Sequence, residues 1–155
     1  MRNDDLTDVE TLVESDRFHD ALALVDAAIE KSPEQARLWA DKGWILFKMG
    51  DYTAATESFT EALERHPRAA TTLFFRAQCK EKTGNLQGAL DDYRASIAIK
   101  PRADALLNIG LMLKYTGDRI AARVAFCDAL ELEPTNELAL ALLREHDLPP
   151  SPPRG

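Results

Sequence analysis

Apolar residues recur along this chain at helical spacing, in segments separated by glycine, aspartate or proline. The clearest segments lie between Ala36 and Ala69. Leu38, Trp39, Gly43, Leu46 and Phe47 share one helix face, and Ala55, Phe59, Ala62 and Leu63 share the next, as the i, i+3, i+4, i+7 pattern of an amphipathic helix requires. Gly50 stands where the first of these helices must stop, because glycine enters the left-handed region at least cost. Asp51 follows as an N-cap. Pro67 closes the unit, since its ring cannot continue the preceding helix. The small Gly43 and Ala55 let two antiparallel helices on a short turn approach closely, and the bulky residues fill the space on either side.

The same pattern recurs on both sides. Upstream, Phe18, Ala21, Leu22, Val25, Ala28 and Ile29 form a stripe ahead of Pro33, and Leu6, Val9, Leu12 and Val13 form a weaker one between Asp4 and Glu14. Downstream, Leu73, Ala77, Gly84, Ala89, Tyr93, Ser96 and Pro101 repeat the unit, followed by Leu106, Ile109, Gly110, Leu113, Gly117, Ala122, Phe126, Ala129 and Pro134. The closing prolines are 34, 34 and 33 residues apart, a period of helical solenoids. One amphipathic segment without a partner, carrying Leu138, Ala141, Leu142 and Leu143, follows as a terminal cap. The expected architecture is therefore all-α, four helix pairs and a capping helix with no strand, in one domain over residues 1–147. Its units span about 2–35, 36–69, 70–102 and 103–136, with the cap at about 137–146. The proline-rich tail 148–155 contains P-x-x-P at Pro149 with Pro152 and at Pro150 with Pro153, and reads as an extended end rather than a ligand.

Composition excludes several classes. Lysine and arginine number 19 against 26 acidic residues, a net charge of −7, which disfavours nucleic-acid and anionic-membrane partners. The N-terminus MRNDDLTDVE lacks the basic and apolar regions of a leader, and no 18-residue apolar run occurs, so a cytoplasmic protein is expected. Cys79 and Cys127, with neither disulfide nor metal-ligand spacing, read as small buried thiols of a reducing compartment. His19, His66 and His146 are scattered, and carboxylates such as Glu57 with Glu61 sit as on any solvated helix face. No phosphate-loop, nucleophile-elbow or dinucleotide motif occurs. The expectation is a protein that is not an enzyme and has no cofactor and no metal.

These residues carry a family resemblance. Trp39, Gly43, Gly50, Ala55, Phe59, Ala62 and Pro67, and again Gly110, Gly117, Ala122, Phe126, Ala129 and Pro134, resemble the tetratricopeptide repeat. The third unit has Ala77 and Ser96 for glycine and alanine, and in the first Asp16 occupies the turn glycine's place. The resemblance implies a right-handed superhelix whose first helices line a concave groove. Carried over, that face has Arg37, Ala40, Trp44, Phe47 and Lys48, then Thr71, Phe74, Gln78, Glu81 and Lys82, then Asp104, Leu107, Leu111, Lys114 and Tyr115. On that frame the floor is apolar, with Trp44, Phe47, Phe74, Leu107, Leu111 and Tyr115, Trp44 being partly exposed and Trp39 buried, and Lys48, Lys82 and Lys114 are either a basic column along one edge or ordinary solvated lysines, the second reading being the stronger. The Lys and Asn set with which related chaperone-binding domains grip a terminal carboxylate is matched only by Asn108. Two functions stay open: a scaffold that holds a peptide or helix of a partner protein in the groove, or a self-associating assembly protein or secretion-type chaperone, a homodimer through the groove or terminal helix.

Overall fold

In the computed structural model the residues described are 3–147, with side chains at 8–145. The proline-rich tail and the side chains of Leu6 and His146, singled out above, lie outside them. Among the described residues there are nine α-helices and no strand. They are α1 (Asn3–Glu14), α2 (Phe18–Lys31), α3 (Ala36–Met49), α4 (Tyr52–Arg65), α5 (Ala70–Lys82), α6 (Leu86–Ile99), α7 (Ala103–Tyr115), α8 (Arg119–Leu132) and α9 (Glu137–Asp147). The chain divides into two compact units, residues 1–95 and residues 96 onward.

In the first unit α1 packs on α2, α2 on α3, α3 on α4 and α4 on α5, while α3 also touches α5. The weak first stripe is helical because neighbours complete it: Val9 and Val13 are buried in one cluster with Ala21, Val25, Ile29, Leu38 and Ile45. A second cluster joins Leu46, Ala55, Phe59 and Cys79, and Trp44 packs against both. Rings carry the packing onward, Phe75 lying 5.5 Å from Phe47 and 5.6 Å from Phe74, which is itself 5.7 Å from Tyr93. In the second unit α7, α8 and α9 enclose Leu106, Leu107, Ala122, Phe126, Ala129, Ala139 and Leu142.

The turns follow local chemistry. Gly50, Gly84 and Gly117 have φ of 83°, 83° and 91°, and Asp16, in the corresponding place of the first pair, is left-handed at 56°, which a short polar side chain tolerates. Asp51 and Asp118 accept from the backbone N–H of Ala54 and Ala121, at 3.1 and 3.0 Å. Asn85 and Asn136 do the same for Gly88 and Ala139, at 3.0 Å each. The 33-residue spacing is explained by the α6–α7 connection, where Lys100, Pro101 and Arg102 stand in place of the four residues that link α2 to α3 and α4 to α5.

Three expectations are corrected. Trp39 is only half-buried, because its indole N–H must find an acceptor: it donates to the Pro33 carbonyl at 2.9 Å, and the Arg65 guanidinium lies 4.9 Å from its ring. Cys127 is exposed, on the outward side of α8 that also carries the exposed Ile120 and Val124. In α9 the buried face is Ala139 and Leu142, while Leu138, Leu140 and Ala141 are exposed. Leu140 stands where Leu106 stands in α7, and among the described residues no helix follows to cover it.

Candidate interaction surface

α3 presents one face to its own second helix, α4, and a second kind of face to α5, the first helix of the next pair. On α3 the second kind of face holds Ala40 and Asp41, with Trp44 one helical turn further on. Two cavities flank it. One, of about 190 Å³, lies toward α1 and is lined by Val9, Glu10, Arg37, Asp41 and Trp44. The other, of about 170 Å³, lies toward α5, and its walls are Ala40, Asp41, Trp44, Phe59, Thr71, Thr72 and Phe75. Trp44 and Asp41 belong to both.

Asp41 is electrostatically unusual. Its Oδ2 is sealed from solvent and has no hydrogen-bond partner; the nearest cation, Nε of Arg37, is 3.7 Å away. Burial pushes the Asp41 carboxyl above its ordinary value; the Arg37 charge opposes this, and the Glu10 charge adds to it.

The residues expected to form the groove divide into three groups. Phe74 and Leu107, 4% and 7% exposed, are core, since Phe74 stacks edge-on to Tyr93 and Leu107 joins the Phe126 cluster. Trp44, Phe47 and Gln78 are half-buried, Phe47 meeting Tyr52 at 5.7 Å. Lys48, Lys82, Leu111 and Tyr115 are exposed, Tyr115 at 83%. Lys48 Nζ lies 5.9 Å from the Trp44 ring, and Lys114 reaches Glu145 of α9 at 2.6 Å. Lys114 is therefore engaged within the second unit rather than standing as a bare column member.

Periodicity alone misses a buried charge cluster in the first unit. Asp92 of α6, its side chain 8% exposed, accepts two bonds from Arg76 of α5, at 2.7 and 2.8 Å, and pairs with Lys80 at 2.8 Å. Arg76 also donates to Thr60 of α4 at 3.2 Å. Asp92 lies three residues after the buried Ala89 and four before the buried Ser96, and that spacing was the signal available. With both Asp92 oxygens bonded to Arg76 and that guanidinium also reaching Thr60, the cluster locks three helices rather than offering a free reactive group.

Among the described residues no three His, Cys, Asp or Glu side chains are placed to hold a metal ion. Among them, too, no helix is long and apolar enough to cross a membrane.

Comparison with known proteins points one way. Family models described as tetratricopeptide repeat match residues 9–55 and 40–104, and a further one matches 103–136. Stress-induced-phosphoprotein 1 of Caenorhabditis elegans is 33% identical over 109 residues, 70% of this chain and 34% of that protein. The chain spans between 13% and 34% of the length of the first curated relatives it matches. Among solved structures MamA superposes with a TM-score of 0.84 at 17% identity, over 89% of this chain and 81% of MamA. The first repeat domain of RPAP3 (Spaghetti), bound to the HSP90 peptide SRMEEVD, superposes at 0.67 with 24% identity, over 72% of this chain and 90% of that one.

Proposed function

This chain belongs to the tetratricopeptide repeat family, and on that premise we propose that it is a non-catalytic scaffold holding a segment of a partner protein. The segment lies on the Trp44 face of α3, between α1 and α5. One observation supports this most: Trp44 walls two cavities at once, and a half-buried indole between hollows is the kind of anchor that dominates interface energies. Phe47 and Gln78 extend that face within the first unit, with Lys48 and Lys82 as its exposed basic rim. The second unit, taken by itself, has its own candidate contact residues on α7, Leu111, Lys114 and Tyr115.

The chain has two tryptophans, so Trp39→Phe leaves Trp44 as the sole emitter. A bound peptide is expected to shift that emission. Trp44→Ala is expected to weaken binding by about 2 kcal/mol or more. Because Trp44 also packs against both clusters of the first unit, circular dichroism of the variant must accompany the titration. A folded Trp44→Ala protein that binds as tightly as the wild type would place the partner elsewhere.

A second reading, self-association, is favoured by the exposed Ile120 and Val124 of α8 and Leu138 and Leu140 of α9. Sedimentation across a concentration series separates the two, a persistent monomer supporting the open scaffold.

A further inference from the structure

The two cavities beside Trp44 differ in chemistry, and the difference bears on which partner side chain fits. In the cavity toward α5, Asp41 is the one charged residue among the described walls; the rest are the rings of Trp44, Phe59 and Phe75, the side chain of Ala40, and Thr71 and Thr72. On the opposite side Glu10 of α1 adds a second negative charge, and Arg37 supplies the positive one. Arg37 pairs with Asp41 only loosely: its Nε stands 3.7 Å from Oδ2, within ion-pair but beyond hydrogen-bond reach, and the two side chains are 67% and 30% exposed. Lys48 approaches the Trp44 ring at 5.9 Å and lines neither cavity.

An ionised carboxylate with an oxygen sealed from water and no donor is a standing cost to the fold. Each class of incoming side chain changes that cost differently. An acidic one would set like charge beside Asp41 and Glu10. A purely apolar one would remove more water from Asp41 and return no bond. A lysine or arginine returns a charge-assisted bond to the carboxylate, while its aliphatic stem lies along aromatic walls that also favour a cation. The χ2 torsion of aspartate is broad, so either oxygen of Asp41 can turn to the ligand at little expense.

We propose that the α3–α5 cavity takes one lysine or arginine side chain of the bound partner segment, its cation on the Asp41 carboxylate and its stem against Trp44, Phe59 and Phe75. This rests on the scaffold reading above and adds to it the chemistry of one partner position. The remainder of the segment lies outside the cavity, where the exposed lysines leave room for apolar or acidic residues.

The test is selection from a randomised library of short peptides displayed on phage, with the full chain as bait, followed by titration of the synthetic winners. The winners are expected to share a basic residue, and replacing it by norleucine is expected to weaken binding by roughly tenfold or more. Asp41→Asn is expected to erase that difference while still binding the norleucine peptide. Thr71→Lys, on an exposed helical position at the cavity wall, places a competing cation there and is expected to do the same without touching Asp41. Winners without a shared basic residue, or undiminished discrimination in Asp41→Asn or Thr71→Lys, would overturn this inference and leave the scaffold intact. If the folded chain selects no peptide, the scaffold reading fails, and this inference fails with it.

Discussion

Asp41 shows how a single side chain can set stability against binding. Its carboxyl is pushed up chiefly by burial, so the folded chain holds that proton more tightly than the unfolded chain does. Ionising it therefore removes stability as pH rises from the ordinary aspartate range through the raised value, whereas at lower pH both states are protonated and nothing is lost. Asp41→Asn is expected to melt above the wild type near about pH 7, with the gap closing near about pH 3. Thermal scans at the two pH values check this, and a gap that widens on acidification would contradict it.

The two thiols differ for a comparable reason. Cys79 is wholly buried and its thiol is pushed up to about 11 by that burial, whereas Cys127 faces solvent. Native protein is expected to react with iodoacetamide at Cys127 and leave Cys79 unmodified, as peptide mass mapping would show. Both becoming labelled at equal rates would mean that the Leu46, Ala55 and Phe59 cluster opens readily.

At the scale of helices, contact between partners is set by what each lacks. A Cβ on Gly43 would stand 2.6 Å from the Phe59 ring, and that ring is held among buried neighbours. Gly43→Ala is expected to lose roughly 1 kcal/mol or more net, the overpacking outweighing the better helix propensity of alanine. Glu57→Ala, on the exposed side of α4, should stay within about 0.5 kcal/mol. Chemical denaturation of both variants would expose a misplaced face by giving equal losses.

The Asp92 cluster binds helices differently, through charge. Asp92→Asn keeps the shape but leaves Arg76 and Lys80, 17% and 19% exposed, without their counter-charge. A loss of about 2–3 kcal/mol is expected, at the low end for a buried pair because water still reaches both cations. The exposed Arg17 and Asp20 pair, 2.7 Å apart, should contribute almost nothing by the same measurement. An Asp92→Asn midpoint equal to that of the wild type would show that water or rearrangement replaces the aspartate's role.

For the whole molecule, periodicity in the sequence was enough to reveal the nine helices of the described residues, their turns and their order, because the 34-residue spacing of Gly50 with Gly84 and of Pro33, Pro67 and Pro101 reflects local chain chemistry: left-handed glycines, caps and helix breaks. The large residues opposite the small ones, Phe59 with Gly43 and Phe126 with Gly110, were legible for the same reason. The depth of a residue on a shared face was not. Phe74 and Trp44 look alike in a one-dimensional pattern, yet Phe74 is sealed by Tyr93 and Phe75 while Trp44 stands between two hollows. Asp92 and Asp41 are likewise two aspartates among many. Only packing gave Asp92 its cations from a helix 16 residues away, left Oδ2 of Asp41 without a hydrogen-bond donor and turned Cys127 outward. Helical period is a property of neighbours along the chain, whereas burial and electrostatic satisfaction depend on which other helix arrives at each face, and that is decided in three dimensions.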